Sequence, residues 1–126
     1  MKTVLIVDDE LDIAEAVKAI LEEERYKVVT CGNGRDALKF LEEIQPDLAI
    51  VDIMMPVMNG YETIKAIRAR AGYQSLPILL MSAIVPTVKA KAYEWAGFLK
   101  KPFSLNELLK QVHALAPKDP DQEPSL

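Results

Sequence analysis

Short apolar runs and longer amphipathic stretches alternate along the chain. Residues 4–7, 28–31, 48–51 and 78–81 are continuous runs rich in β-branched residues or leucine, and Phe98-Leu99 is a shorter fifth. Runs of this length predict strands. Continuous rather than alternating apolarity predicts a parallel sheet covered on both faces. Between the runs, apolar positions recur at helical spacing. Ile13, Val17, Ile20 and Leu21 form one stripe, and Ala37, Leu38, Leu41 and Ile44 a second. Ile64 and Ile67 anchor a third, and Leu105, Leu108, Leu109, Val112 and Leu115 form the last. Ser104, with Glu107 three residues on, reads as a capping box for that last helix. Residues 87–96 predict a further helix with a thin stripe (Val88, Ala92, Trp95) that Gly97 would end. The pattern is β followed by α, five times: a doubly wound α/β domain with a five-stranded parallel sheet.

Composition narrows the class. A chain of 126 residues is one domain, and half of them are apolar, enough for a core. Cys31 is the only cysteine, which excludes a disulfide framework, and His113 the only histidine, which argues against catalytic zinc. The net charge of −4 argues against direct nucleic-acid binding. No apolar run approaches the ~18 residues a membrane span requires, and the acids at positions 8–10 come too early for a signal peptide. A cytoplasmic protein without membrane insertion is the expectation. From Pro117 the chain turns proline-rich and acidic, so residues 1–116 predict the domain and 117–126 a disordered tail.

Candidate chemistry sits where strands end. Ligands of open parallel sheets bind beyond the carboxyl ends of the strands. There the first strand runs into Asp8-Asp9-Glu10, the third into Asp52, the fourth into Ser82-Ala83 and the fifth into Lys100-Lys101-Pro102. Of the two lysines, strand alternation and the adjoining proline select Lys101. The first turn carries acids where a nucleotide-binding turn would carry glycines, so it should repel an anion and attract a hard cation. Clustered carboxylates raise one another's pKa unless a metal neutralises them. A small oxygen site that retains waters suits Mg²⁺ better than Ca²⁺. A metal, a lysine and a hydroxyl around one carboxylate form a phosphoryl-transfer layout, with the carboxylate as nucleophile.

These residues together resemble the receiver domains of two-component response regulators, in a stand-alone, chemotaxis-type form, over residues 1–116. Val7-Asp8-Asp9-Glu10 is similar to the acidic pair, and Asp52-Ile53-Met54-Met55-Pro56-Val57-Met58-Asn59-Gly60 to the phosphoacceptor segment. Met81-Ser82-Ala83 resembles the hydroxyl switch and Lys101-Pro102-Phe103 the lysine-proline end. The resemblance implies a flavodoxin-like sheet of order 2-1-3-4-5. It implies that Asp52 is phosphorylated by a histidine kinase or histidine phosphotransfer protein. Mg²⁺ would be bound directly by Asp9, mainly through water by Asp8, and by Asp52 and the Met54 backbone carbonyl. Ser82 would bond a phosphoryl oxygen, Lys101 would pair with the phosphoryl group, and Phe98 would be the switch aromatic. The Lys101–Pro102 bond is expected to be cis. Such a module catalyses its own phosphotransfer and dephosphorylation without being a conventional enzyme, and acts on a separate output protein.

One departure stands out. The family's stretch Ala-Gly-Ala-Asp-Asp-Tyr-Leu-x-Lys-Pro is here Ala96-Gly97-Phe98-Leu99-Lys100-Lys101-Pro102, three residues shorter before the aromatic and lacking its hydroxyl. Two other functions compete: an enzyme using Asp52 as nucleophile on a small phosphorylated substrate, and a constitutive interaction module. No long loop or cap that would enclose a substrate is evident, against the first; the complete acidic, hydroxyl and lysine set argues against the second. Asn59-Gly60 reads as turn chemistry, Cys31 as packing, and His113 as solvent-facing.

Overall fold

A computed structural model describes residues 1–86 and 95–119. The strands are β1 (Thr3–Val7), β2 (Lys27–Cys31), β3 (Leu48–Asp52), β4 (Ile78–Ser82) and β5 (Gly97–Lys100). The described helices are α1 (Leu11–Glu23), α2 (Gly34–Ile44), α3 (Gly60–Arg68) and α4 (Leu105–Leu115). The sheet is parallel throughout, in the order β2-β1-β3-β4-β5. The helix expected over 87–96 falls almost wholly outside the described residues, as do 120–126 of the expected tail.

The inner strands β1, β3 and β4 are apolar along nearly their whole length because both faces of the sheet are covered. Val4, Ile6, Leu48, Ile50, Leu79 and Met81 point to one side, where Ala14, Val17 and Leu21 of α1 and Leu108 and Val112 of α4 meet them. Leu5, Val7, Ala49, Val51, Ile78 and Leu80 point to the other, against Ala37 and Leu41 of α2 and Ile64 and Ile67 of α3. Alternate residues of each strand thus feed two separate cores. Leu105 departs from its expected stripe: it opens α4 and is exposed.

Helix ends are set locally. Asn59 caps α3 by a full capping box with Glu62, which corrects the expectation of turn chemistry alone. The box expected at α4 is half formed: Ser104 Oγ accepts from the Glu107 N–H, but its hydroxyl, not its backbone N–H, meets the Glu107 carboxylate at 3.1 Å. Two glycines mark close approaches. A Cβ on Gly60 would stand 2.5 Å from the Asp52 carbonyl oxygen, and one on Gly34 would collide with the Thr63 hydroxyl. The shortened approach to β5 places Gly97 in the strand itself, paired with Leu79. Gln111 of α4 lies across β5 and donates from Nε2 to the Phe98 carbonyl at 3.4 Å.

The segment after α4 meets the start of the chain and the α1–β2 turn at the amino edge of the sheet. Buried Tyr26 donates its hydroxyl to the Ala116 carbonyl at 2.7 Å. Lys118 pairs with Glu24 at 3.3 Å, and Asp119 with the Met1 ammonium at 2.8 Å. His113 stacks on Tyr26, its Nε2 3.3 Å from Glu24, rather than simply facing solvent. Half-buried Cys31 packs on the second core, and burial pushes its thiol up to about 12, which disfavours the nucleophilic thiolate at neutral pH.

Candidate functional site

Four strands deliver their last residues to the carboxyl edge of the sheet. Asp8 follows β1 immediately and is buried, because its backbone N–H still bonds across to the Cys31 carbonyl. Its Oδ1 accepts from the Glu10 N–H at 2.8 Å, closing a tight turn into α1. That turn sets neighbouring acids differently: Asp9 is exposed, while Glu10 reaches back over the edge. Asp52 ends β3 and is 1 % exposed. Its Oδ1 lies 3.4 Å from the Met54 N–H, and its Oδ2 has no hydrogen-bond partner.

Lys101 comes in just beyond β5, held by a bond from its N–H to the Ser82 carbonyl at 2.8 Å. The Lys101–Pro102 bond is cis. Its ammonium lies 2.8 Å from Glu10 Oε1, 3.1 Å from Asp8 Oδ2 and 3.6 Å from Asp52 Oδ2. One cation therefore bonds two carboxylates and stands near a third. Lys100 ends the strand exposed, away from them. Ser82, buried at the end of β4, accepts at Oγ from the Ile84 N–H at 3.1 Å. Phe98 is half-buried on β5 and packs on the core containing Ile53, Met55 and Leu80. Trp95, before β5, lies against Tyr61 of α3 with ring centroids 5.8 Å apart.

The electrostatics follow from burial. Loss of water raises the Asp52 carboxyl most, and the Asp8 carboxylate raises it further. Lys101 and the Met54 N–H oppose this only in part, so Asp52 is pushed from 3.8 up to about 7. Burial would lower the Lys101 ammonium, but its bonds to Glu10 and Asp8 and the Asp52 charge outweigh that, leaving it raised and protonated.

Asp8, Glu10 and Asp52 each offer a carboxylate oxygen within 4.8 Å of the others. Hard oxygen donors with one buried oxygen lacking a partner fit a small divalent cation. Asp9 stands outside this trio, and Glu10, to which sequence reasoning gave no separate role, stands inside it. Residues 53–59 loop around the site with Met54 exposed and Val57 in the left-handed region at φ 68°. That conformation is strained for a β-branched residue. Ile84 is exposed after β4.

The family model of the response regulator receiver domain matches residues 4–113. The chain belongs to this family. It is 36 % identical to the chemotaxis protein CheY4 of Vibrio cholerae, with a TM-score of 0.87 over 91 % of this chain and 98 % of that one. It is 34 % identical to the response regulator TrrA of Thermotoga maritima, with a TM-score of 0.82 over 91 % and 99 %; that structure is a complex with Mg²⁺-BeF. Among curated proteins it is 32 % identical to the DNA-binding response regulator MtrA of Mycolicibacterium paratuberculosis over 94 % of this chain and 53 % of that protein. It is 37 % identical to the regulatory protein VanRB of Enterococcus faecalis over 89 % and 51 %. The receiver thus spans about half the length of these curated relatives. The family's general function is a phosphorylation-dependent signalling switch. No helix among the described residues is long and apolar enough to cross a membrane.

Proposed function

We propose that residues 1–116 form a receiver unit that takes a phosphoryl group on Asp52 from a phosphohistidine of a histidine kinase or phosphotransfer protein. A carboxylate oxygen of Asp52 attacks phosphorus, the N–P bond breaks, and the imidazole leaves with that electron pair and takes a proton. The product is an acyl phosphate. The observation that carries this reading is Asp52 itself: buried, lacking a partner at Oδ2, and 3.6 Å from an ammonium already engaged by two other acids. A carboxylate so placed has little structural use.

Asp8, Asp9, Asp52 and the Met54 backbone carbonyl would hold Mg²⁺, with Glu10 at the edge of the set. Bound there, the ion offsets the negative charge of the carboxylates and of the phosphoryl oxygens. Lys101 then pairs with a phosphoryl oxygen, and Ser82 turns its hydroxyl to donate to another. The inward move of Ser82 leaves space for Phe98 to rotate, which changes the surface shown to a separate output protein. The switch also hydrolyses its own acyl phosphate. Incubation with acetyl phosphate and Mg²⁺ should add one phosphoryl mass to the wild type and none to Asp52→Asn. Full labelling in EDTA, or labelling of Asp52→Asn, would overturn the assignment.

A further inference from the structure

Glu10 is the least expected member of the site. Its carboxylate makes the shortest contact to Lys101, 2.8 Å, although its side chain is 56 % exposed. Asp8 makes the other close contact, at 3.1 Å, with a side chain that is fully buried. Two of the three ammonium donors are thus engaged on the β1–α1 turn. The ammonium stays beyond hydrogen-bond distance of Asp52 Oδ2, which has no other partner. Among the described residues, the Glu10 side chain makes no other hydrogen bond or ion pair. Glu10 is the N-cap of α1 without any side-chain capping bond, and the turn is closed by its backbone N–H.

We propose that Glu10 is a positioning residue that parks Lys101, and so lowers the affinity of the site for a phosphoryl group. The proposal rests on the receiver reading above. To reach a phosphoryl oxygen, the ammonium must give up a partner. Leaving Asp8 takes a cation from a fully buried carboxylate, which only bound Mg²⁺ could offset, whereas leaving Glu10 simply returns an exposed carboxylate to water, at the smaller cost. Glu10 is therefore the partner exchanged. A ligand that needs Lys101 free binds with its intrinsic affinity reduced by the fraction of molecules in which the lysine is free. The ammonium is kept close at hand but committed, and the unphosphorylated form is favoured until phosphate competes.

The probe is beryllium fluoride, a phosphoryl analogue, titrated by calorimetry at saturating Mg²⁺. Glu10→Gln keeps size and removes the charge. It should bind the analogue about two- to five-fold more tightly than wild type, the range set by an exposed ion pair. Asp12→Asn, also exposed and in the first turn of α1, removes a nearby charge without touching Lys101 and should change affinity far less. Equal gains in the two variants would reduce the effect to the general field and overturn the proposal. So would unchanged or weaker analogue binding in Glu10→Gln. A tenfold loss of Mg²⁺ affinity in that variant, measured separately, would make Glu10 a metal ligand instead. A wild type that binds no analogue at all would overturn the receiver reading itself.

Discussion

Asp52 has a buried oxygen without a hydrogen-bond partner, and stability should register it. Its carboxyl is raised to about 7 in the folded protein against 3.8 unfolded. Between those values the folded state holds a proton that the unfolded state has released, so this group's contribution to stability falls as pH rises through the window. Asp52→Asn removes the charge. In EDTA its melting temperature should match wild type below about pH 4, exceed it increasingly between there and about pH 7, and keep a constant lead above that, by on the order of 1–3 kcal/mol of stability. Mg²⁺ should close that gap by stabilising wild type alone. A gap that is constant with pH below about 7 would contradict the account. Met54 and Ile84 bear on a different property, the lifetime of the acyl phosphate. Both are exposed beside the site, and neither side chain can orient a water for in-line attack. Met54→Asn and Ile84→Glu should each hasten decay of phosphorylated Asp52, by about tenfold where one positioning contact is gained. Decay no faster than wild type would show that these side chains do not set the clock.

The start of α3 shows how an element can be tied to a site without contributing a side chain to it. Gly60 brings the helix against the carbonyl of Asp52, with Asn59 and Glu62 closing the turn around it. Gly60→Ala should cost about 1–3 kcal/mol or more in urea unfolding, because the obstacle is backbone. Gly32→Ala, with nothing within 4 Å of the added methyl, should lie within about 0.5 kcal/mol of wild type. Equal effects would mean that the fit at Gly60 is loose. The close approaches at Gly34 and Gly60 are not legible in the sequence, since each depends on which atoms lie opposite. What is legible is whatever one strand or helix fixes by itself. The apolar runs mark the strands, and the residue ending each run marks the edge, so Asp8, Asp52, Ser82 and Lys101 could be placed there. Glu10 lies on the same edge in the sequence, but its contact with Lys101 is not legible there: that reach comes from the turn that Asp8 closes, which leaves Asp9 outside the group. Val57 gives no signal either, because a β-branched residue at positive φ contradicts its own preference.

Across the whole molecule, the two edges of the sheet have separate tasks. The carboxyl edge gathers the acids and Lys101. The amino edge fastens the segment after α4, through Tyr26 to Ala116 and through Asp119 to Met1. Tyr26→Phe should therefore cost about 1 kcal/mol in unfolding while leaving the rate of labelling by acetyl phosphate unchanged. A large change in that rate would show the edges to be coupled. The lateral borders carry a further consequence. An open sheet leaves its outermost strands free to recruit a strand from another molecule, the first step toward fibres and precipitates. On the β5 side that step is obstructed: the strand has four residues, ends in exposed Lys100, and has its Phe98 carbonyl taken by the Gln111 amide. The same short approach that draws Gly97 beneath α4 thus gives this border little length on which a foreign strand could grow.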